Sequence, residues 1–348
     1  MSLIQSQASV IQRNLTPIDT RLLGGRVIVE GREYLDFSAN DYLGFSMDQD
    51  LIPKRYETGH GSTGSRLLSG DHYATHALED AIAVWKDTEA ALVFNTGYQM
   101  NVGLLDTILS KDDVVFADKA IHASLIDGIR LSGASCYRYR HNDPEHLRTL
   151  LQKNRGQAKK AWIITESVFS MDGTIPKLSE LIQLKQEFET QLFVDEAHAN
   201  GVYGITGAGQ VEAQGVTKDV DICVGTFGKA LGSMGAYCAC SIELKDQLIN
   251  QCRSFIYSTA LPHPVIAFNH YALEKMQAKP DRRERLLDHV YWVRSALKKA
   301  EIPILGDSHI IPVLVGDTKA TEELASSLKD QGFWVLPIRP PTVPKGGS

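Results

Sequence analysis

Short apolar runs alternate with amphipathic segments along the middle of the chain, from about residue 72 to residue 260. The apolar runs end at glycine or polar residues, which is typical of buried strands. They lie at 90–97, 113–119, 161–167, 191–197, 221–227 and 236–241. The segments that predict helices between them lie at 72–86, 98–109, 122–133 and 178–190. Because strands that alternate with helices pair in one direction, the sequence predicts an α/β fold with a mainly parallel sheet covered on both faces.

The chain has 348 residues, which is enough for one large domain and a smaller one. After the alternating region the pattern predicts a smaller α+β unit: a helix at 282–300, a strand at 309–316, a helix at 320–332 and a strand at 334–339. We predict an N-terminal segment that belongs to the small domain, then a large domain, then a C-terminal small domain, with bounds 1–45, 46–270 and 271–348.

The composition argues against several classes of protein. A net charge of −6 does not favour binding to nucleic acid or to an anionic membrane. The N-terminus lacks the features of a signal peptide. A membrane-spanning helix needs about 18 consecutive apolar residues, and no stretch of the sequence is that long, so we expect a cytoplasmic protein. The five cysteines form no CxxC pair and the histidines form no HExxH motif, so we predict no disulfide framework and no metal site.

Lys229 follows a glycine in "VGTFGKALGS" (224–233), which raises the alternative of a nucleotide-binding P-loop. That motif requires an earlier glycine where Cys223 stands, and a serine or threonine where Ala230 stands. The P-loop interpretation is therefore unfavourable. The glycines around Lys229 allow a ligand to approach closely, so Lys229 is either a reactive amine or an ordinary surface lysine.

Polar residues follow the predicted strands, at the edge where α/β sheets bind ligands. Asp195 ends an apolar run, and a buried carboxylate needs a compensating group, either a protonated pyridine nitrogen or a Mg²⁺ ion in a nucleotide site. His198 lies close by and is either a cofactor ligand or a structural histidine. "NTGYQ" (95–99) offers N–H groups to a phosphate at a helix start, and Thr226 adds a hydroxyl.

The sequence resembles the α-oxoamine synthases, which are pyridoxal-phosphate enzymes of the aspartate-aminotransferase fold. The matching motifs extend along nearly the whole chain. They are "FSANDYLG" (37–44), "GSTGSRLLSG" (61–70), "NTGYQMN" (95–101), "DKAIHASLIDG" (118–128), "HND" (141–143), "TESVFSMDG" (165–173), "VDEAHANGVYG" (194–204), "TFGKALGSMGAY" (226–237), "YSTALP" (257–262) and "IRPPTVP" (338–344). The resemblance implies that the large domain binds pyridoxal 5'-phosphate.

The resemblance also implies a catalytic set. Lys229 would hold the cofactor as a Schiff base and remove the α-proton of the substrate. Asp195 would pair with the pyridine nitrogen and His198 with the phenolic oxygen. His122 would stack on the ring and face the substrates, and Ser170 would help to orient the cofactor.

The same resemblance implies which residues bind the phosphate of the cofactor and which face the substrates. Gly97, Tyr98 and Thr226 would lie at the phosphate. Ser258 and Thr259 would reach the phosphate of a partner subunit, which implies a homodimer with shared active sites. The remaining substrate-facing positions are Asn40 and Thr342.

"SANDYLG", "HND" and "IRPPTVP" look most like the branch of the family that condenses L-alanine with a pimeloyl thioester, carried on CoA or acyl carrier protein. The first alternative is another branch, which uses glycine with acetyl-CoA or succinyl-CoA, or serine with a long acyl chain. A different class, a P-loop protein or a nonenzymatic binding protein, is the second alternative. The family pattern continues past "TVPKGGS" with an arginine-bearing segment that grips the substrate carboxylate, so we expect weaker alanine binding by this sequence.

Overall fold

A seven-stranded sheet lies at the centre of the computed structural model, which describes residues 15–48, 50, 59–156 and 158–348. Its strands are β4 (Ala90–Phe94), β5 (Val114–Asp118), β6 (Ser135–Tyr139), β7 (Ala161–Glu166), β8 (Gln191–Asp195), β9 (Ile222–Thr226) and β10 (Ala236–Cys240). They are arranged in the order β4-β10-β9-β8-β7-β5-β6. Only β10 runs against its neighbours, so the prediction of a mainly parallel sheet in an α/β fold is confirmed.

The helices that connect and cover these strands in the large sheet region are α1 (Tyr73–Lys86), α2 (Gly97–Ile108), α3 (Ala123–Ser132), α4 (Pro144–Asn154), α5 (Leu178–Glu187), α6 (Gln210–Ala213), α7 (Ile242–Gln251) and α8 (Arg253–Ile256). α1, α2, α3 and α5 begin near the positions that the sequence pattern predicts, whereas the other four were not predicted. The helices that follow are α9 (His263–Ala278), α10 (Asp281–Lys299) and α11 (Thr318–Asp330). No helix in the described ranges is long and apolar enough to span a membrane.

Alternate residues of the central strands pack into two apolar layers, one on each face of the sheet. In β7, Ile163 joins one layer and Ile164 joins the other. Leu78 of α1 packs in the first layer, and Leu104 of α2 packs in the second. Helices therefore cover both faces, and the polar residues at the strand ends are left at the edge of the sheet.

A second sheet joins the two ends of the described chain. It contains β1 (Thr20–Leu22), β2 (Arg26–Val29), β3 (Arg32–Asp36) and β11 (Phe333–Trp334), in that order. β11 pairs with β3 in parallel, so chain segments from opposite ends share one small sheet. The domain boundaries at residues 45 and 270 stay predictions, and residues 1–14 of the N-terminal segment lie outside the described residues.

The strand predicted at 309–316 is wrong. The only pairing of that region in the described residues is an isolated bridge between Ile304 and Val313. Pro312 has no N–H to donate to a strand ladder. In the residues before Pro312, the Arg294 guanidinium donates hydrogen bonds to the Ser308 and Ile310 carbonyls. These carbonyls therefore bond to a side chain instead of a neighbouring strand.

The strand predicted at 334–339 is also mostly wrong, because only Phe333 and Trp334 pair. Beyond them the Leu336 N–H donates to the Ser38 hydroxyl at 2.9 Å, and Pro337 has no N–H to continue a ladder.

Candidate active site

Six strands of the central sheet, all but β10, run in the same direction and end at the same edge. Five of them, β4, β5, β7, β8 and β9, lead into the candidate site. Each of them ends in, or is followed by, a polar side chain. These are Thr96 after β4, Asp118 of β5, Glu166 of β7, Asp195 of β8 and Thr226 of β9. The edge therefore gathers the groups that the sequence places at strand ends.

Asp195 is buried at this edge, with 7% of its surface exposed. Its Oδ2 accepts a hydrogen bond from the Asn101 side chain at 3.0 Å, and its Oδ1 accepts from the Ala197 N–H at 2.9 Å. Both donors are neutral, and no salt bridge to Asp195 occurs in the part of the chain that the structure describes. A buried carboxylate in such surroundings favours a cationic ligand group.

Asp195 is connected to His122 through two side chains that the sequence analysis did not select. The Asn101 amide also donates to the Ser124 hydroxyl at 3.0 Å. The Ser124 hydroxyl lies 2.8 Å from Nδ1 of His122, and that nitrogen also accepts the Ser124 N–H at 3.2 Å. Nδ1 is therefore an acceptor, and neutral His122 carries its proton on Nε2. Burial lowers the pKa of His122, and the charge of Lys229 adds to that shift although the Asp195 carboxylate opposes it.

Glu166 is the second buried carboxylate of the site, and it is the last residue of β7. Its Oε1 accepts the His122 N–H at 2.5 Å, which fixes the start of α3. Burial raises the pKa of Glu166 well above the ordinary value, and the neighbouring Asp195 raises it further. The pair therefore holds less negative charge at neutral pH than two free carboxylates would hold.

His198 lies in the turn after β8 and receives Tyr42 from the N-terminal part of the chain. The Tyr42 hydroxyl is 2.7 Å from Nδ1 of His198 and 3.2 Å from Oδ1 of Asn40. Burial lowers the pKa of His198 well below the ordinary value, and Lys229 lowers it further. His198 is therefore a neutral hydrogen-bonding group at physiological pH.

Lys229 lies beyond β9 in a tight glycine-rich turn. Its carbonyl oxygen accepts the Gly232 N–H at 2.8 Å. Gly232 has φ of +63°, and a Cβ there would come within 2.2 Å of the Ser46 backbone nitrogen, so only glycine fits. Burial lowers the pKa of Lys229, although the carboxylates of Asp195 and Glu166 oppose that shift. A larger fraction of the amine is therefore neutral, and nucleophilic, than in an exposed lysine.

The start of α2 offers backbone donors to a phosphate. The Thr96 hydroxyl caps this helix by accepting the Gln99 N–H at 3.2 Å. A Cβ at Gly97, the first helical residue, would meet no atom within 4 Å, so open space adjoins these N–H groups. Tyr98 follows, and its ring packs edge-on at 6.2 Å from the His122 ring. Such a helix start is a suitable anion site.

The other residues predicted near the phosphate are Thr226, at the end of β9, and Ser258 and Thr259, beside the start of α2. Thr226 donates to the Gly235 carbonyl at 2.8 Å and accepts the Gly228 N–H at 3.1 Å. Within the one chain, the Gln99 side chain donates to the Ser258 hydroxyl at 2.7 Å. The Asn95 side chain donates to the Thr259 carbonyl at 2.5 Å. The 258–259 segment therefore lies against the start of α2.

Two residues that the resemblance selects are not joined to this group by any contact described above. Ser170 lies in a turn that is closed by a hydrogen bond from the Phe169 N–H to the Thr174 carbonyl at 3.0 Å. Thr342 is exposed, in a turn where its N–H donates to the Arg339 carbonyl at 3.0 Å. Their roles, like the individual roles of the other site residues, stay predictions.

The matches to known proteins agree with this arrangement. The model of the family "Aminotransferase class I and II" matches residues 32–347. The chain belongs to this family. Within the family, relatives from Haemophilus influenzae Rd and Geobacillus kaustophilus are 44% and 45% identical over 93% of this chain and 87% and 84% of theirs. Both bear the provisional name 8-amino-7-oxononanoate synthase.

Solved structures of two enzymes resemble this aminotransferase-family chain closely. Serine palmitoyltransferase of Sphingomonas wittichii has a TM-score of 0.91 at 32% identity, over 95% of this chain and 84% of that one. 8-Amino-7-oxononanoate synthase of Francisella tularensis has a TM-score of 0.76 at 30% identity, over 89% of both chains. The expected fold and the membership of the α-oxoamine synthases are confirmed.

Pyridoxal phosphate is the cofactor of this aminotransferase-family enzyme, and a structure of serine palmitoyltransferase with it bound has a TM-score of 0.90 at 29% identity. The residues present fit that group. Asp195 is a buried anion with only neutral donors, Lys229 is a half-buried amine whose pKa burial lowers, and open space adjoins Gly97. The P-loop alternative is therefore wrong.

Proposed function

We propose that the chain is an 8-amino-7-oxononanoate synthase that acts in biotin synthesis. It joins L-alanine to a pimeloyl thioester, carried on CoA or acyl carrier protein. The α-carbon of alanine forms a bond to the thioester carbonyl carbon, the thiol carrier leaves, and the alanine carboxylate leaves as CO₂. The single observation that supports this choice of substrates is the name borne by the relatives, which are 42–45% identical over most of the chain.

Asp195, His198, Lys229 and the start of α2 would hold the cofactor. When bound, pyridoxal phosphate supplies an aldehyde for the substrate amino group and a ring that withdraws electrons from the α-carbon. The buried Asp195 carboxylate would keep the ring nitrogen protonated, which that electron withdrawal requires. Neutral His198 would donate to, or accept from, an oxygen of the cofactor without adding a charge of its own.

Lys229 and His122 would handle protons. The neutral amine of Lys229 can take the α-proton from alanine, since burial lowers its pKa. His122 carries its own proton on Nε2 and can donate a hydrogen bond to a substrate oxygen. Asn101 and Ser124 hold that tautomer in place, and they connect it to Asp195.

One observation favours a second reaction of the same family. The TM-score to serine palmitoyltransferase, 0.91, exceeds the 0.76 to the Francisella tularensis 8-amino-7-oxononanoate synthase. The alternative therefore condenses L-serine with a long-chain acyl-CoA. The same chemistry applies to glycine with acetyl-CoA.

The deciding experiment supplies the purified holoenzyme with each amino acid and acyl donor in a matrix, and identifies the products by mass spectrometry. We expect 8-amino-7-oxononanoate from L-alanine with pimeloyl-CoA or pimeloyl acyl carrier protein, and no product from the Lys229→Ala variant. A faster reaction of L-serine with palmitoyl-CoA, or of glycine with acetyl-CoA, would overturn the assignment of substrates and keep the reaction class.

We also propose that the active enzyme is a homodimer. Leu68, Tyr73 and Tyr257 are 81%, 95% and 72% exposed in the single chain. The segments of Leu68 and Tyr257 are joined, because Ser65 bridges Thr259, and Tyr73 follows Leu68 closely in the sequence. Large apolar side chains grouped on a surface are typical of a protein interface. Analytical ultracentrifugation should give twice the chain mass, and Tyr257→Asp should reduce that mass.

A further inference from the structure

His309 is a half-buried titratable residue near the site, and the proposed function gives it no role. Its ring lies edge-on to Tyr42, with ring centroids 4.3 Å apart. Tyr42 in turn contacts His198 and Asn40. His309 is therefore separated from His198 by a single aromatic ring, although it comes from the C-terminal part of the chain.

The segment that carries His309 is held firmly. The Arg294 guanidinium donates to the carbonyls of Gly306, Ser308 and Ile310 at 2.9, 2.8 and 3.0 Å. The Gly173 carbonyl accepts the Ser308 N–H at 3.1 Å. The backbone on both sides of His309 is therefore held by contacts that do not involve the ring nitrogens.

Tyr203 fixes the tautomer of His309. The Tyr203 hydroxyl accepts the His309 backbone N–H at 3.1 Å and lies 3.3 Å from Nδ1 of its ring. The hydroxyl proton then points to Nδ1, so Nδ1 is the acceptor and Nε2 carries the hydrogen. Burial lowers the pKa of His309 to about 3, with Arg294 and Lys229 adding to the effect, so the ring is neutral.

The Nε2–H group has no acceptor. It is buried, and no hydrogen-bond partner for it exists among the residues that the structure describes. A buried donor without a partner is costly, and such a group normally meets a ligand or a water. The ring face of Tyr42 is at most a weak acceptor.

We propose that His309 is a substrate-binding residue whose Nε2–H donates to the carboxylate of the amino-acid substrate. The carboxylate is attached to the carbon whose amino group reacts at Lys229, and the charge of Lys229 acts on both His198 and His309. Asp195 is a buried carboxylate of the same site, so the substrate carboxylate is better placed beside the neutral donors around Tyr42. The inference rests on the proposed function, because it requires an α-amino acid as substrate.

The test measures the dissociation constants of L-alanine and of L-alaninamide for the holoenzyme by isothermal titration calorimetry. His309→Phe keeps the ring beside Tyr42 and removes the donor, so L-alanine should bind about 10- to 100-fold more weakly, as expected for loss of a hydrogen bond to a charged group. L-Alaninamide should bind as it does to the wild type. His309→Gln, whose amide can reach the same acceptor, should recover part of the affinity.

His289→Phe on α10 is the matched control, since His289 is exposed. Equal weakening of both ligands, or no change in either, would overturn the role of His309 and leave only a buried water as its partner. If the wild type binds glycine or L-serine but not L-alanine, the proposed substrate is wrong. The His309 comparison is then repeated with that amino acid and its amide, so the two failures are distinguished. Resonances of ¹⁵N-labelled histidine report the Nε2–H tautomer independently of activity.

Discussion

Asn101 illustrates how much of this site depends on residues that do not touch the chemistry. Both protons of its amide are used, one for Asp195 and one for Ser124. Asn101→Leu should therefore weaken pyridoxal phosphate binding by about 10-fold or more. The reason is that the Asp195 carboxylate loses a hydrogen bond, and a hydrogen bond to a charged group changes an equilibrium constant by about that factor. Titration of the apoprotein with the cofactor, followed by absorbance, measures the change.

Asn250→Leu is the control for this prediction, since Asn250 is exposed on α7 and its side chain donates to the Asp246 carbonyl of the same helix. An Asn101 variant with the wild-type cofactor affinity would mean that Asp195 is held by the Ala197 N–H alone.

His141 makes the folded protein sensitive to alkaline pH. Its Nδ1 lies 2.8 Å from Asp118, and its Nε2 lies 3.0 Å from Asp172. Burial lowers the pKa of His141, but the two carboxylates outweigh burial and raise it to about 9, above the ordinary 6.5. The stabilisation is complete below about pH 6.5 and is lost as the pH rises through about 9.

The expected loss for His141 is about 1–3 kcal/mol in the free energy of unfolding, reduced from the full shift because the side chain is partly exposed. Urea unfolding at a series of pH values from 6 to 10 measures it. His141→Gln should lose that pH dependence, and an unchanged profile in the variant would contradict the prediction.

At the scale of elements, α1 is joined to the turn after β8 by one buried cation. The Lys86 amine donates to Glu196 and to the Asn200 side chain, both at 2.7 Å, and also to the Ala208 carbonyl. Glu196 and Asn200 flank His198 in the sequence. Lys86→Met should cost about 3–5 kcal/mol of stability, because the buried Glu196 carboxylate loses its partner.

A chemical denaturation curve measures that cost, and the double variant Lys86→Met, Glu196→Gln should recover part of it. Lys319→Met is the control, because Lys319 and Glu323 form an exposed pair at 3.7 Å, and its effect should stay within about 0.5 kcal/mol. Equal effects of the two lysine variants would show that the Lys86 pair is no stronger than a surface pair.

The elements of the central sheet could be predicted from the sequence because their apolar runs are buried on both faces. The region 309–316 has similar residues, but its backbone partners are scattered over distant segments, such as the Arg294 side chain for Ile310 and the Ser348 carbonyl for Val315, which no local pattern reveals. The same holds within the site. Lys229 and Asp195 could be given roles from their motifs. Ser124 and Tyr42 also lie in motifs, but their roles become visible only through contacts between distant segments.

At the scale of the whole molecule, the position of Ser258 and Thr259 leaves two arrangements of the phosphate site. Within one chain their segment contacts Gln99 and Asn95, beside the start of α2. Resemblance to the family instead predicts that they reach the phosphate of the partner subunit. The two arrangements differ in which chain completes each active site.

Mixing two inactive variants distinguishes them. One variant is Lys229→Ala, and the other is the double variant Ser258→Ala, Thr259→Ala, which should bind the cofactor weakly. If the segment acts on the partner, a hybrid dimer contains one site with every mutation and one fully wild-type site, so activity returns at limiting pyridoxal phosphate. If the segment acts within its own chain, each site of the hybrid keeps one defect. Activity after co-refolding or co-expression, compared with each variant alone, measures the outcome, and no recovery in a confirmed hybrid would contradict sharing of the sites between subunits.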